Sequence, residues 1–369
     1  MPIESTRVRQ VAFDELPGWK LAHLQKSLLT FQTSCKTFVR QDPERLVGTE
    51  FFNLKAKDWQ PACQAALQLN PVDEQAARAF FEQWFVPVEF YESKPIKGLF
   101  TGYYLPLLKG SYTQSEQFNV PIYEVPDDMI TVDLSMFSPQ FKNNKIVGRL
   151  QGNKLLPYYT RAEIDKGAVK QHTRVLLWVS NPIDRLFMEI QGSGIVELED
   201  GKQIYVGYDG QNGFPYTSLA SVLIRKGVMT RENASMQGIR AYLDAHPEER
   251  DAIIHQNQSF VFFRKLTMDA ALGSQGVALT PGYSLAIDKE WIPMGAPLWL
   301  STSVPNSRNP DINKPMHRLM IAQDTGGAIR GKIRGDVYWG GGDKASVIAG
   351  HMKNEGHYWL LLPKSLNAN

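Results

Sequence analysis

The sequence predicts a mainly β protein with a helical N-terminal part, and three observations carry that expectation. Early in the chain, apolar residues recur at alternating spacings of three and four, the mark of helices buried on one face. The middle third mixes short apolar runs with helical stretches. From about residue 270 onward, short strand-like runs alternate with glycine-rich turns, as in a β-barrel or sandwich.

The helical part begins near Gly18, where Leu21, Leu24, Leu28, Phe31, Cys35 and Phe38 line one face. Asp58 is expected to cap a second helix that carries Trp59, Cys63 and Leu67. Asp73 is expected to cap a third, with Ala77, Phe80, Phe81 and Trp84. Val86-Pro87 then breaks the pattern. The only two cysteines, Cys35 and Cys63, both fall on inward faces, so a disulfide and two buried thiols are both compatible with the pattern.

Strand character takes over at Gly98-Leu-Phe-Thr-Gly-Tyr-Tyr-Leu-Pro. Residues 175–180 and 186–190 read as paired strands around a turn at Asn181-Pro182, with Gln191-Gly-Ser-Gly next. Residues 205–208 read as a strand and Asp209-Gly-Gln-Asn-Gly as a turn. Helices are expected over 217–226, 235–245 and 248–255, and a strand over 259–263. Later strands are expected at 283–287, 297–300, 319–322, 336–338 and 358–362.

Composition narrows the function classes. The 369 residues are 43% hydrophobic, 21% charged and 11% aromatic, an ordinary globular profile with room for two domains. A net charge of +2 carries no nucleic-acid footprint. No apolar run nears the ~18 residues of a membrane span. The opening MPIESTRVRQ shows neither a signal-peptide core nor a lipoprotein cysteine, so any export signal is absent from this numbering.

Residues 319–342, LMIAQDTGGAIRGKIRGDVYWGGG, hold the candidate chemistry. Asp324 and Asp336 each follow a strand-like run. Glycines at 326, 327, 331, 335, 340, 341 and 342 mark turns and places of close approach to the backbone. Beside Val337, Tyr338 and Trp339, the Asp336 carboxyl is shielded, which favours its proton-donating form. Asp336 is therefore the expected acid of a cleft that Asp324 helps shape.

Alternatives from single motifs fail. Asp324-Thr-Gly looks like an aspartic-protease loop, but that chemistry needs two such aspartates and the chain has one such loop. His317, His351 and His357 lack metal-ligand spacing, Ser193 lacks a nucleophile elbow, and no Walker or Rossmann loop occurs. What remains is Glu189 and the aromatics Tyr103, Tyr104 and Trp339 near glycines, residue types that suit stacking on sugars and equally suit a core.

An ordered series of motifs then becomes specific: Phe100-Thr-Gly-Tyr-Tyr-x-Pro, Pro121-Ile-Tyr, Leu156-Pro, Arg161-Ala-Glu-Ile, Glu189-Ile-Gln-Gly-Ser-Gly, Tyr208-x-Gly-x-Asn-Gly, Ser235-Met-Gln-x-Ile-Arg, Ser259-Phe-Val-Phe-Phe, Asp324-x-Gly-Gly-Ala-Ile and Asp336-x-Tyr-x-Gly. Over roughly its last three quarters the chain resembles the membrane-bound lytic murein transglycosylase A family. The resemblance implies a double-ψ β-barrel domain, formed by the first segment within 1–107 and by 271–369, with a second β-rich domain inserted at 108–270 and a groove for glycan strands. It implies cleavage of the β-1,4 bond between N-acetylmuramic acid and N-acetylglucosamine in peptidoglycan, leaving a 1,6-anhydro end. By the same resemblance Asp336 is the catalytic acid, with Asp324 and Glu189 supporting it, although a member of the family has aspartate at the Glu189 position.

Candidates for glycan binding are Thr101, Gly102, Tyr103, Tyr104, Gln191, Gly192, Ser193, Gly194, Gly326, Gly327, Tyr338 and Trp339. The resemblance also implies no cofactor and no metal, a monomer, and a periplasmic location with outer-membrane attachment if a lipidated segment precedes the numbering. A glycan-binding barrel without activity is the competing reading. A single acid suits the chemistry, because ordinary glycosidases need a second carboxylate for water or nucleophilic attack, whereas here the muramic C6 hydroxyl attacks C1.

Overall fold

In the computed structural model, residues 6–93, 96–142 and 144–364 are described. The chain divides into two compact units. A terminal unit comprises Met1–Tyr104 with Leu272–Asn369, and a middle unit comprises Leu105–Ala271.

The terminal unit contains three helices where helices are expected, Gln25–Phe38, Ala56–Gln68 and Glu74–Trp84, but the first begins at Gln25 rather than near Gly18, and Leu21 lies in a separate 3-10 turn and is exposed. Their apolar stripes meet in one core, where Phe31 packs near Phe80, Phe81 and Phe85, and Phe38 stacks on Trp59 at 5.0 Å. Asp73 caps its helix by accepting from the Ala76 N–H. Asp58 does not cap the second helix. It lies inside the first turn, three residues after the capping Lys55, and its carboxylate reaches back to the Lys55 N–H. That is the acidic half of a capping box.

Cys35 and Cys63, both fully buried, are joined in a disulfide, which settles the open choice between bridge and free thiols. The bridge spans 28 positions, so reduction removes a constraint on the unfolded chain of about 3.5 kcal/mol. Urea unfolding with and without reductant is expected to show that loss, and an unchanged midpoint would refute it.

The sheet of this unit has eight strands, in the order Arg7–Gln10, Phe85–Tyr91, Lys353–Pro363, Pro297–Pro305, Asn313–Asp324, Ser284–Ile287, Arg334–Gly341 and Gly98–Leu105. Lys353–Pro363 additionally pairs with Gly98–Leu105. The short Ser284–Ile287 strand, buried at all four residues, runs parallel to Asn313–Asp324 and antiparallel to Arg334–Gly341. Its pairing brings the two aspartate-bearing strands to either side of one another's neighbour.

The middle unit holds a six-stranded sheet, in the order Val261–Lys265, Gln203–Gln211, Ser193–Glu197, Leu107–Ser111, Val175–Val179 and Val120–Tyr123. A three-stranded sheet, Ile130–Asp133, Lys145–Gln151 and Lys154–Pro157, and helices including Leu219–Arg225, Met236–Ala245 and Pro247–Ile254 complete it. Two expectations fail here. Residues 186–190 are not a strand but part of the helix Pro182–Gln191. The Asn181 side chain accepts from the Ile183 N–H and Pro182 takes the first helical position, so Asn-Pro starts a helix rather than a turn. Nor does Asp209-Gly-Gln form a turn. The strand Gln203–Gln211 continues through it with a bulge between Tyr208 and Gly210, because Val261, Phe262 and Phe263 pair with it there. Among the described residues, no helix is long and apolar enough to cross a membrane.

Candidate active site

Ala286 is paired in register with Asp324 on one side and Asp336 on the other. Two strand spacings separate those aspartates, about 10 Å between Cα atoms. The residue between them is a buried alanine.

Asp336 lies on the strand Arg334–Gly341 and is half-buried. Thr101, from the neighbouring strand Gly98–Leu105, donates its hydroxyl to Asp336 Oδ1 at 2.8 Å. Arg334 Nη1 in turn donates to Thr101 Oγ1 at 2.9 Å and to the Gly335 carbonyl at 2.6 Å. Burial pushes the Asp336 carboxyl up to about 6; the Thr101 hydrogen bond and the Arg334 charge work against that rise, and Asp324 adds to it. A carboxyl at that value holds a proton in mildly acidic solution and releases it near neutrality, as a general acid–base must.

Asp324 is bound differently. Tyr103 donates its hydroxyl to Oδ2 at 2.7 Å. Oδ1 accepts from the Ser274 N–H, the Ser274 hydroxyl and the Thr325 N–H, each at 2.9 Å. Burial raises its carboxyl and these four donors oppose the rise. Both oxygens are thus committed to protein donors. The Tyr103 phenol, buried against this carboxylate, is held well above its usual range, and its ring lies 5.3 Å from that of Tyr338. Tyr103 and Tyr338 are both buried.

Gly102 has a packing reason. A Cβ there would come within 2.8 Å of the Trp339 indole and 2.9 Å of the Ala349 backbone. The Trp339 N–H is buried without a hydrogen-bond partner among the described residues. Tyr104 is half-buried at the end of the terminal unit. Gly327 faces open space and is exposed, so the protein's own packing does not demand glycine there; at Gly326 a Cβ would meet the Ile329 side chain at 2.8 Å.

The other named residues belong to the middle unit. Glu189 is buried in the helix Pro182–Gln191, not at a strand end. Its carboxylate pairs with both terminal nitrogens of Arg161, lies 3.5 Å from Arg185 Nε, and accepts from the Val261 N–H at 3.3 Å. Gln191 and Ser193 are buried. Gly192 ends the helix with φ +82°, a left-handed conformation that favours glycine. Gly194 lets its strand pass close to Met188, whose sulfur would lie 2.6 Å from a Cβ.

Two residues of the site escaped the sequence reading. Arg334 had a signal: in a strand, residue 334 shares a face with residue 336. Ser274 had none, because it reaches Asp324 across 50 positions through a loop.

The family model for the MltA specific insert domain matches residues 99–264, and the 3D domain matches residues 283–362. Membrane-bound lytic murein transglycosylase A of Vibrio cholerae is 33% identical over 265 residues, covering 71% of this chain and 65% of that relative. The chain thus matches just under two thirds of the curated relative's length. Among solved structures, MltA from Neisseria gonorrhoeae is 34% identical with a TM-score of 0.81, covering 100% of this chain and 97% of that one. Escherichia coli MltA with bound chitohexaose is 26% identical with a TM-score of 0.66, covering 91% of this chain and 90% of that one.

Proposed function

This chain belongs to the MltA family, and from that membership we propose that it is a lytic transglycosylase of peptidoglycan with Asp336 as its single catalytic acid. The observation that carries the reading is the Asp336 carboxyl pushed up to about 6 beside an Asp324 whose oxygens are both occupied. Protonated Asp336 donates to the oxygen of the β-1,4 bond between N-acetylmuramic acid and N-acetylglucosamine. As the bond to C1 breaks, the resulting carboxylate takes the proton of the muramic C6 hydroxyl, which closes on C1 as the 1,6-anhydro ring. No water is consumed, and the acid is regenerated. Asp324, its oxygens already occupied, does not serve as a second base. The oriented intramolecular attack supplies much of the acceleration.

In the same proposal Thr101, Gly102, Tyr103, Tyr104, Gly326, Gly327, Tyr338 and Trp339 shape the subsite around the acid. Glu189 acts as a positioning residue that holds Gln191, Gly192, Ser193 and Gly194 in place. The double-ψ β-barrel belongs to the proposal too. It is supported by the pairing of Lys353–Pro363 with Gly98–Leu105, which returns the strand order towards its start, and by the chain leaving the terminal unit after Tyr104 and rejoining it at Leu272. A glycan groove, action as a monomer and attachment in the periplasm complete it. The membrane-bound relatives support the envelope location, and the chitohexaose complex of a relative supports a glycan ligand.

Digestion of purified murein with mass spectrometry of the products tests the reaction. Muropeptides ending in 1,6-anhydro-muramic acid, one water lighter than hydrolysis products, are expected. Reducing ends would mean a hydrolase and sink the reading. The pH profile of kcat/KM adds a second check. The active acid form disappears as pH rises, so activity is expected to fall through about pH 6. Arg334 favours the charged form of Asp336, so Arg334→Gln is expected to move that limb to higher pH; movement to lower pH would contradict the assignment.

A further inference from the structure

The helix Gln25–Phe38 carries a polar stripe beside its apolar one. Ser27, Thr30 and Ser34 recur at spacings of three and four, so they share one face, and all three are buried. Alanine would suit a helix better, and a buried hydroxyl is costly unless it is bonded. The stripe faces the strand Asn313–Asp324. Ser27 donates its hydroxyl to the Leu319 carbonyl at 2.8 Å. The Thr30 carbonyl and the Ser34 hydroxyl both accept from the side-chain amide of Gln323, at 3.0 and 2.9 Å. The Thr30 hydroxyl turns back to the Lys26 carbonyl.

Gln323 is fully buried and immediately precedes Asp324. Its side-chain oxygen accepts from the Ser284 hydroxyl at 2.6 Å, and Ser284 Oγ accepts from the Thr280 N–H at 2.7 Å. On the other side, Ser34 continues the row by donating to Gln275 Oε1 at 2.6 Å. Each of the two hydroxyls accepts one bond and donates the next, an arrangement that strengthens when complete and is costly when broken. Gln275 stands beside Ser274 in a turn, where its N–H donates to the Gln323 carbonyl at 3.2 Å. A Cβ on Gly273 would lie 2.2 Å from that same carbonyl oxygen, so the turn sits directly on the residue before Asp324. Ser274 itself is exposed. Water competes for its bonds to Asp324 unless the turn is held in place.

We propose that Ser34 and Gln275 are positioning residues: through them the helix Gln25–Phe38 fixes the turn that brings Ser274 onto Asp324, and so sets the surroundings of Asp336. The inference rests on the reading of Asp336 as the acid. The other titratable groups facing the two aspartates are Tyr103, Tyr338 and Arg334. Burial raises the Asp324 carboxyl, and the donors from Tyr103, Ser274 and Thr325 oppose that rise. Losing the two Ser274 donors lets the carboxyl rise further, so Asp324 holds its proton to higher pH. A neutral Asp324 no longer adds to the rise at Asp336, which then releases its proton at lower pH.

Carboxyl NMR of the full chain with isotope-labelled aspartate, titrated without substrate, tests it; Asp324→Asn and Asp336→Asn assign the signals. Ser34→Ala and Gln275→Leu are each expected to move the Asp324 titration to higher pH and the Asp336 titration to lower pH. The double variant is expected to move them no further than either single variant, because both break one bond. Ser27→Ala removes a buried hydrogen bond from the same stripe without reaching Gln275. It is expected to lower the thermal midpoint while leaving both titrations unchanged. In murein cleavage, Ser34→Ala and Gln275→Leu are expected to lose more of kcat/KM at about pH 7 than at about pH 5, whereas a merely structural loss is equal at both. The proposal is overturned if Gln275→Leu titrates like the parent, or if Ser27→Ala shifts the titrations equally. Gln275 is half-buried in its turn, so that variant decides the matter even where Ser34→Ala fails to fold. The titration is read without substrate, so it stands apart from the release of 1,6-anhydro products by the parent, whose absence would sink the activity alone.

Discussion

Asp336→Asn is expected to remove murein cleavage while leaving glycan binding intact. The amide keeps the size of the side chain and can still accept the Thr101 hydroxyl, which donates to Asp336 at 2.8 Å. It cannot pass a proton to the leaving oxygen or take one from the attacking hydroxyl. General acid–base help is worth roughly 10²–10⁴-fold, and one group serving both half-steps places the loss at the upper end. Product release from murein measures cleavage, and retention on insoluble glycan measures binding. Activity within a few fold of the parent would move the acid elsewhere.

The same substitution is expected to stabilise the fold. The native Asp336 carboxyl holds its proton up to about pH 6, above its ordinary value of 3.8. Between those values the folded state binds more protons than the unfolded state, so stability falls as pH rises through the window and stays lower above it. The penalty has an upper bound of about 3 kcal/mol, reduced because the group retains some contact with solvent. The asparagine variant should therefore melt higher than the parent at pH 8, with the gap closing below about pH 4. In the proposed mechanism, holding Asp336 in an unfavourable environment trades stability for function.

The second large effect concerns Glu189. Glu189→Ala is expected to destabilise the protein by about 3–5 kcal/mol, because it leaves the Arg161 guanidinium, 1% exposed, without its carboxylate. Arg185, also buried, keeps Asp165 as a partner and so limits the loss. Chemical denaturation measures this, and a cost under about 1 kcal/mol would show that water reaches the pair. The double variant Glu189→Leu with Arg161→Met is expected to recover much of the stability, since it removes both charges together. If the Gln191–Gly194 segment positions glycan, this double variant should still bind less tightly than the parent.

Parts of this molecule were legible residue by residue. The spacing of Leu28, Phe31, Cys35 and Phe38 foretold the first helix, since a 3.6-residue period needs no partner to be visible, while Leu21, read into the same stripe, falls outside the helix and is exposed. Asp336 stood out because its own neighbours Val337, Tyr338 and Trp339 are apolar. The stretch at 186–190 misled, because short apolar runs suit strand and helix alike; the Asn181 cap and Pro182 decided it. The bulge at Tyr208 misled as well, because glycine and asparagine mark turns unless a partner strand such as Val261–Lys265 holds them extended.

The sequence by itself determined the periodic helices, the glycine-rich connections and the family motifs, and it singled out Asp336 as the acid among apolar neighbours. Only the tertiary structure decided how that acid is tuned. Thr101 meets Asp336 across 235 positions, and Tyr103 meets Asp324 across 221. Ser284–Ile287 brings the two aspartates into one row by pairing with both of their strands. Proton affinity depends on desolvation and on charges and donors close in space. Those are set by which strands pair, and strand pairing leaves no local trace in the order of residues.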